Sequence, residues 1–367
     1  DLGLKVLVLP TMEEMGKPGP LQLQEIDLTA LMGRDEVALD EESIGGLIRG
    51  RRVLVTGAGG SIGSELARQI HRYEPGELTL LDRDEGGLHH TQLSIYGHAM
   101  LDSKNIVLAD IRDAERLKEI FLAYEPEVVL HAAALKHQPL LEMYPQEAWM
   151  TNVEGTKNVL DACVAARVDV VVNISTDKAA NPVCALGDSK RIAERLTATY
   201  GAEYSGTWVS VRFGNVLGSR GSVIETFTRQ IESDGPVTIT HPEVRRYFMT
   251  IPEAAQLVLQ AAVVGESGET LVLDMGEPMS ILELAKGLMK LANREDLEIV
   301  YTGLRPGEKL SEELIDDREV AIRADRHPMV TEVRVDQLQS LPECSTEAHH
   351  TLRALARISH DEEPSLL

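Results

Sequence analysis

The sequence predicts an α/β fold: a Rossmann-type doubly wound parallel sheet with a smaller C-terminal substrate-binding lobe. Three observations carry this. Short apolar, β-branched runs alternate with segments of helical spacing from Arg52 to Arg212, as expected of parallel strands covered by helices on both faces. A glycine-rich turn joins the first of these strands to the first helix, and an acid ends the second strand. Beyond Phe213 the alternation breaks into loops and mixed elements.

Taken in order, residues 1–47 read as a lead-in from a preceding domain. They hold an apolar run at Leu4–Leu9, a Gly/Pro patch at Gly16–Pro20, and then polar and acidic residues. The chain opens on that run without an initiator Met, so it reads as a fragment of a larger protein. Residues 48–212 form the dinucleotide-binding domain. Its strands are expected at Val53–Thr56, Leu78–Leu81, Ile106–Leu108, Val128–His131, Val168–Ile174 and Thr207–Arg212, with a helix over Ser61–Arg72. Residues 213–316 form the substrate lobe, partly interleaved with the sheet, because Thr270–Leu273 is apolar enough to return to it. Residues 317–367 are a tail with no clear periodicity.

Composition narrows the function. The formal net charge of -23 over 367 residues argues against a nucleic-acid surface, since phosphate contact needs clustered Lys and Arg. Three scattered cysteines, Cys163, Cys184 and Cys344, fit a reduced cytoplasmic chain without a disulfide framework. No apolar run is long enough to span a bilayer, so no membrane contact by this fragment is expected. The histidines, including the adjacent pairs His89-His90 and His349-His350, lack metal-ligand spacing, and no metal site is expected.

The turn Gly57-Ala58-Gly59-Gly60-Ser61-Ile62-Gly63 follows a strand and opens a helix, the context that makes it a pyrophosphate cradle. Gly57 allows the tight turn, Gly60 lets backbone approach the phosphates, and Gly63 lets helix and strand pack closely. The N–H groups of the helix start, around Ser61 and Ile62, face the anion. Asp82 ends the second strand, where an acid accepts from the adenosine ribose and repels a 2′-phosphate, favouring NAD. Arg83 beside it could pair with that phosphate and leaves NADP open. Asp110 and Ile111 follow the third strand and could touch adenine, although Asp110 serves equally as a helix cap. Ala132 and Ala133 follow the fourth strand and are small enough to lie against a cofactor.

Residues 174–190 are the most informative stretch. Asp177 and Lys178 stand side by side after an apolar strand, and Lys190 opens a helix twelve residues later. A tyrosine four residues before Lys190 would complete the Tyr-x-x-x-Lys pair of many dehydrogenases on this scaffold. Leu186 stands there instead. The usual base is missing and a different acid/base pair is present.

Taken together, these segments resemble the extended short-chain dehydrogenase/reductases. Within that class the chain is similar to the bacterial UDP-N-acetylglucosamine 4,6-dehydratases of polysaccharide biosynthesis. The resemblance runs from about Asp40 to Leu314. It rests on Thr56–Gly63, His131–Glu142 (HAAALKHQPLLE), Ser175–Lys178, Arg212–Gly221 (RFGNVLGSRG), Arg246–Ala254 (RYFMTIPEA) and Arg305–Lys309 (RPGEK). Smaller family members keep the tyrosine. Larger ones, which carry a membrane anchor and a preceding domain, have Met at the position of Leu186. Neither Leu nor Met can act as a base, so the chain sides with the larger, tyrosine-free group.

The resemblance implies a redox-neutral reaction: oxidation at sugar C4, loss of water across C5 and C6, and return of the hydride to C6. Asp177 is expected to be the acid to the leaving hydroxyl, with a raised pKa, and Lys178 the base at C5, with a lowered one. The acceptor for the C4 hydroxyl proton stays open among Thr176, Asp177 and a water. Lys190 is implied to hold the nicotinamide ribose. Ser175 and Thr176 either hold a sugar hydroxyl or simply end the strand. Lys136, Asn215, Arg246, Arg305 and Glu308 are expected around the UDP moiety, with Arg245 making the register of Arg246 ambiguous. The class commonly pairs into homodimers through helices near Gln146–Ala166 and Lys190–Tyr200. Two rivals remain: an epimerase or 4-keto reductase on the same scaffold, which the absent tyrosine disfavours, and a silent NAD-binding module.

Overall fold

The structure is a computed structural model and describes residues 39–319, 321–322, 326–338, 340–342 and 348–357. The expected strand at Leu4–Leu9 and the Gly/Pro patch lie outside the described residues. Helix α1 (Glu41–Ile48) leads into β1 (Arg52–Thr56), α2 (Ser61–Arg72), β2 (Glu77–Asp82), α3 (Glu85–Tyr96), β3 (Ile106–Leu108), α4 (Ala114–Tyr124) and β4 (Val128–His131). Two short helices, α5 (Gln138–Met143) and α6 (Pro145–Ala148), run through a π-helical turn at Trp149–Glu154 into α7 (Gly155–Ala166). Next come β5 (Val170–Ile174), a 3₁₀ turn at Asp177–Ala179, α8 (Ala185–Glu203) and β6 (Thr207–Arg212).

The lobe comprises β7 (Asn215–Leu217), α9 (Val223–Glu232), β8 (Val237–Ile239), β9 (Arg245–Arg246), β10 (Phe248–Thr250), β12 (Met279–Ser280), α11 (Ile281–Leu291) and β13 (Ile299–Tyr301). Within this span, α10 (Ile251–Val264) and β11 (Glu269–Leu273) rejoin the sheet and its core. Helix α10 starts where Thr250 and Glu253 satisfy each other's backbone N–H groups, with a proline in the first turn. The chain continues through β14 (Ala321–Ile322), β15 (Val330–Arg334) and α12 (Ala348–Arg357).

The nine-stranded sheet runs β3-β2-β1-β4-β5-β6-β11-β15-β14. Strands β3 to β11 are parallel, and β15 and β14 are antiparallel. This is the predicted doubly wound fold. Strand order reverses at the neighbouring, parallel β1 and β4, so the carboxyl ends of these strands flank a crevice. Alternation along each strand feeds two cores. Val53, Val55, Val128 and Leu130 pack under α1, α2 and α10, whereas Leu54, Val129 and Val171 pack under α4, α7 and α8. Each such side chain contributes about 1.5–3 kcal/mol when fully buried. A third core, around Phe227, Val237, Phe248 and Leu288, belongs to the lobe.

The tail, unassigned by periodicity, completes the molecule. Strand β15 pairs with β11, and α12 contributes Leu352 and Leu355 to the second core. Helix α8 is thus buried along most of its length, between the sheet and α12. The helix expected at a dimer contact over Lys190–Tyr200 is therefore packed against the chain's own α12. Among the described residues no helix is long and apolar enough to cross a membrane.

Candidate active site

Strand β1 delivers Thr56 to the glycine turn. Gly57 has φ +66°, and a Cβ there would lie 2.5 Å from Ala133 N. A Cβ on Gly63 would lie 2.1 Å from Gly57 O. The turn therefore tolerates no side chain at either position, and its backbone lies against Ala132 and Ala133. Helix α2 begins at Gly60 without a side-chain cap, which leaves its first N–H groups and its positive dipole end available to an anion. A cleft of about 190 Å³ opens here, lined by Gly57, Gly60, Asp82, Arg83, Asp110 and Ala133.

The Asp82 carboxylate accepts from Gly59 N at 2.8 Å and Asp84 N at 2.9 Å. It fixes the turn while lining the cleft. Arg83 pairs with Asp110 at 3.4 Å, and Asp110 also accepts from Arg112 N at 3.0 Å, so Asp110 shapes its own turn as well as the wall. Ile111 is buried, with its carbonyl accepting from Asn158. Ile62 packs against the core beneath the turn, and Ser61 Oγ accepts from Arg220 N at 3.3 Å. Sequence reasoning missed Arg220, although it lies inside the quoted RFGNVLGSRG segment. Its guanidinium donates to Gly59 O and pairs with Asp84, placing a cation over the cradle.

The second group of residues stands at the carboxyl ends of β5 and β6. Asp177 is fully buried, with its N–H donating to Phe213 O. Its Oδ1 accepts from Lys178 Nζ and from Thr176 Oγ1, both at 2.9 Å. Its Oδ2 is buried without a partner. Lys178 Nζ also donates to Asn215 Oδ1 at 3.1 Å. Burial pushes the Lys178 pKa down, but Asp177 and Glu312 outweigh it and the net shift is upward. This corrects the expectation of a lowered pKa: in the resting site Lys178 is an ammonium.

Leu186 is buried in the second core, with Cys184 just before it capping α8 through its sulfur. Lys190 follows on the same helix. Burial pulls its pKa down to about 8 against the opposing charge of Glu194, and its ammonium has no hydrogen-bond partner among the described residues. Asn152, in the π-helical turn, ties this helix to the β4 loop by bonding Ser189 and both backbone polar groups of Leu135.

The remaining expected residues divide. Ser175 is turned away from the cleft, because strand alternation points it at α8, where its hydroxyl donates to Glu194 at 2.6 Å. Of the two expected roles, this arrangement is that of a residue ending the strand, with its hydroxyl engaged by Glu194. Arg246 is the inward residue of β9 and Arg245 the exposed one. The Arg246 guanidinium donates to Arg245 O and Leu310 O and pairs with Glu308 at 3.3 Å. Glu308 accepts from Thr240 Oγ1 and Arg305 N as well. These bonds make Glu308 a tie within the lobe rather than an open acceptor for a ribose. Asn215 spends its carbonyl on Lys178. Arg305 and Lys136 are exposed, and Lys136 stands beside Arg220 and Glu225. Glu312, not anticipated, is buried next to Lys178, Asp177 and Arg246.

Comparison with known proteins gives the family and the fold. The family described as polysaccharide biosynthesis protein matches residues 53–334. The chain is 46% identical over 326 residues to the capsular polysaccharide biosynthesis protein CapD of Staphylococcus aureus, covering 87% of this chain and 54% of CapD. It spans about half the length of the curated relatives it matches. Among solved structures, Pen from Bacillus thuringiensis superposes with a TM-score of 0.71 at 30% identity, covering 79% of this chain and 92% of Pen. The UDP-glucose 4-epimerase of Thermus thermophilus, solved with NAD, gives a TM-score of 0.63 at 24% identity over 72% of this chain and 90% of that one.

Proposed function

The chain belongs to the polysaccharide biosynthesis protein family, and from that premise we propose that it is an NAD-dependent nucleotide-sugar 4,6-dehydratase acting on UDP-N-acetylglucosamine, on the cytoplasmic side. The observation that carries this reading is the Asp177–Lys178 ion pair at the strand end, in a chain with Leu186 where an epimerase or 4-keto reductase would need tyrosine.

The residues present fit a dinucleotide, since the cradle at Gly57 and Gly63 is one that any Cβ would fill. Gly57, Gly59, Gly60 and the start of α2 at Ser61 and Ile62 would hold the pyrophosphate, with Arg220 above it. Asp82 would take the adenosine ribose, and Lys190 the nicotinamide ribose. Bound NAD⁺ would supply the hydride acceptor at sugar C4 and the donor at C6.

The proton chemistry falls to Asp177 and Lys178. At rest they are carboxylate and ammonium, whereas a base at C5 and an acid at the C6 oxygen need the reverse. One proton moving along the 2.9 Å hydrogen bond from Nζ to Oδ1 delivers both states at once without changing net charge. A sugar filling the site expels the water that favours the charged form, and so promotes this transfer. Lys178 then takes the C5 proton while Asp177 protonates the departing hydroxyl. Thr176 and Asn215 hold the pair in register through their bonds to Asp177 and Lys178.

The test is mass spectrometry of protein incubated with UDP-N-acetylglucosamine and NAD⁺, with NADH absorbance followed. A product lighter by one water without lasting NADH is expected. Unchanged mass with a rearranged sugar would mean epimerisation. No turnover despite measured binding of both ligands would mean a silent module.

A further inference from the structure

With leucine at position 186, a 4,6-dehydratase must find another acceptor for the C4 hydroxyl proton. The candidates around the catalytic pair can be worked through by what their polar atoms already do. Asp177 Oδ1 is taken by Lys178 and Thr176. Its Oδ2 is buried behind Gly214, where even an added Cβ would come within 3.2 Å of it. The Ser175 hydroxyl is bound to Glu194. His131 is enclosed between Thr56 at 2.7 Å and Thr156 at 3.0 Å. Glu308 is spent within the lobe.

Glu312 differs from all of these. It is 4% exposed. Its carboxylate accepts no hydrogen bond from any described residue, and its nearest ion-pair contact is Arg246 Nε at 4.0 Å. Its charge is felt by Lys178, Asp177 and Cys184, the last being the cap of the helix that carries Leu186. The bridge between Arg245 and Ser311 fixes which of the two adjacent acids, Glu312 or Glu313, faces inward. Burial, and then the neighbouring Asp177 carboxylate against the attraction of Lys178, leave its pKa raised, which makes the carboxylate a stronger base than an ordinary glutamate.

We propose that Glu312 is a catalytic residue of this site, the base that takes the proton of the sugar C4 hydroxyl. The inference rests on the dehydratase reading. In the step, the O4–H bond breaks toward a Glu312 oxygen, and its electrons close the C4–O4 double bond. The C4–H bond leaves with its electron pair to the oxidised nicotinamide already named. Asp177 later loses one proton to the departing water, and Lys178 returns to C5 the proton it took. The centre is then restored by one proton passing from Glu312 to Lys178.

The test is a chemical double-mutant cycle read by binding. Calorimetry measures UDP-N-acetylglucosamine and its 4-deoxy analogue against wild type and Glu312→Gln, each loaded with reduced cofactor so that no turnover occurs. Wild type should prefer the hydroxylated ligand by about tenfold or more, as for a hydrogen bond to a charged group, and Glu312→Gln should lose that preference. Turnover should fall by about 10²–10⁴-fold, while deuterium exchange at C5 of the 4-keto product, which needs only Lys178, survives. Glu312→Asp, which keeps the carboxylate, should restore part of the preference. A preference retained in Glu312→Gln overturns the assignment. So does C5 exchange lost in step with turnover, because Glu312 would then act only on Lys178. Wild-type protein that dehydrates nothing and binds no UDP-sugar overturns the dehydratase reading itself, and this inference with it.

Discussion

Two buried ionic assemblies stand at the carboxyl ends of β5 and β6, and they are built to different ends. In one, the Arg212 guanidinium is fully buried and every N–H is used: bonds to both oxygens of Glu194 and of Glu319, and one to Leu314 O, at 2.7–3.0 Å. Arg191 and Ser175 add further bonds to the same two carboxylates. In the other, Asp177 keeps one buried oxygen unpartnered, and the nearest ion-pair contact of the Glu312 carboxylate is Arg246 Nε at 4.0 Å. The Arg212 guanidinium has nothing left to offer a ligand, although Arg191 Nε beside it is buried without a partner. An unsaturated carboxylate is costly to keep and is explained when a ligand completes it. Full use of the Arg212 donors, against an open carboxylate oxygen on Asp177, is what distinguishes these two groups.

That contrast can be broken by substitution. Lys178→Ala should lower dehydratase turnover by about 10²–10⁴-fold, while shifting the unfolding free energy less than a substitution at Arg212. Arg212→Met should do the opposite: it strands two buried carboxylates and costs about 3–5 kcal/mol in denaturant unfolding, with turnover per folded molecule largely kept. Equal losses of activity and stability at both sites would erase the distinction.

Asp188 sharpens the comparison, because both its oxygens are buried and unbonded although it lies two residues from Lys190. Burial pushes its pKa up from 3.8 to about 6, against the pull of Arg353, Arg357 and His349 and with the help of Glu142. Its proton is held more tightly folded than unfolded. Its contribution to stability is therefore fully present below about pH 4 and is lost as pH rises through about 6. Urea unfolding across that window should show wild type losing stability relative to Asp188→Asn, with turnover at neutral pH within about twofold, as for a change away from the reacting atoms. A large loss of turnover would mean that Asp188, too, does chemistry. The smallest effect is expected at Arg220, whose side chain is 64% exposed. Arg220→Ala should weaken NAD binding by no more than about fivefold in a fluorescence titration.

Much of this was legible in the sequence because it is local. Strand and helix periods, the glycine turn and the gap at Leu186 are all read within a few residues. The tail was not legible. In β15, Glu332 occupies a fully buried position and pairs with Arg326 at 3.5 Å, so the apolar pattern that marks a strand is interrupted. Arg220 and Glu312 carry no local mark either, since their places depend on loops folding back from distant segments. Glu308 and Arg246, expected around the UDP moiety, pair with each other in the lobe. Spacing shows that charges converge, not which of them neutralise one another.

Helix α12 has a consequence for how the molecule is made. Arg195 in α8 bonds Leu355 O across 160 residues of sequence, and β15 closes on β11 from a similarly late position in the chain. Contacts of such long separation form slowly. Until they form, the side of the Lys190 helix that shares the second core with Leu352 and Leu355 lies bare on a half-finished chain. The last described helix therefore acts as a guard during synthesis: its arrival ends the interval in which this apolar face is open to other nascent chains.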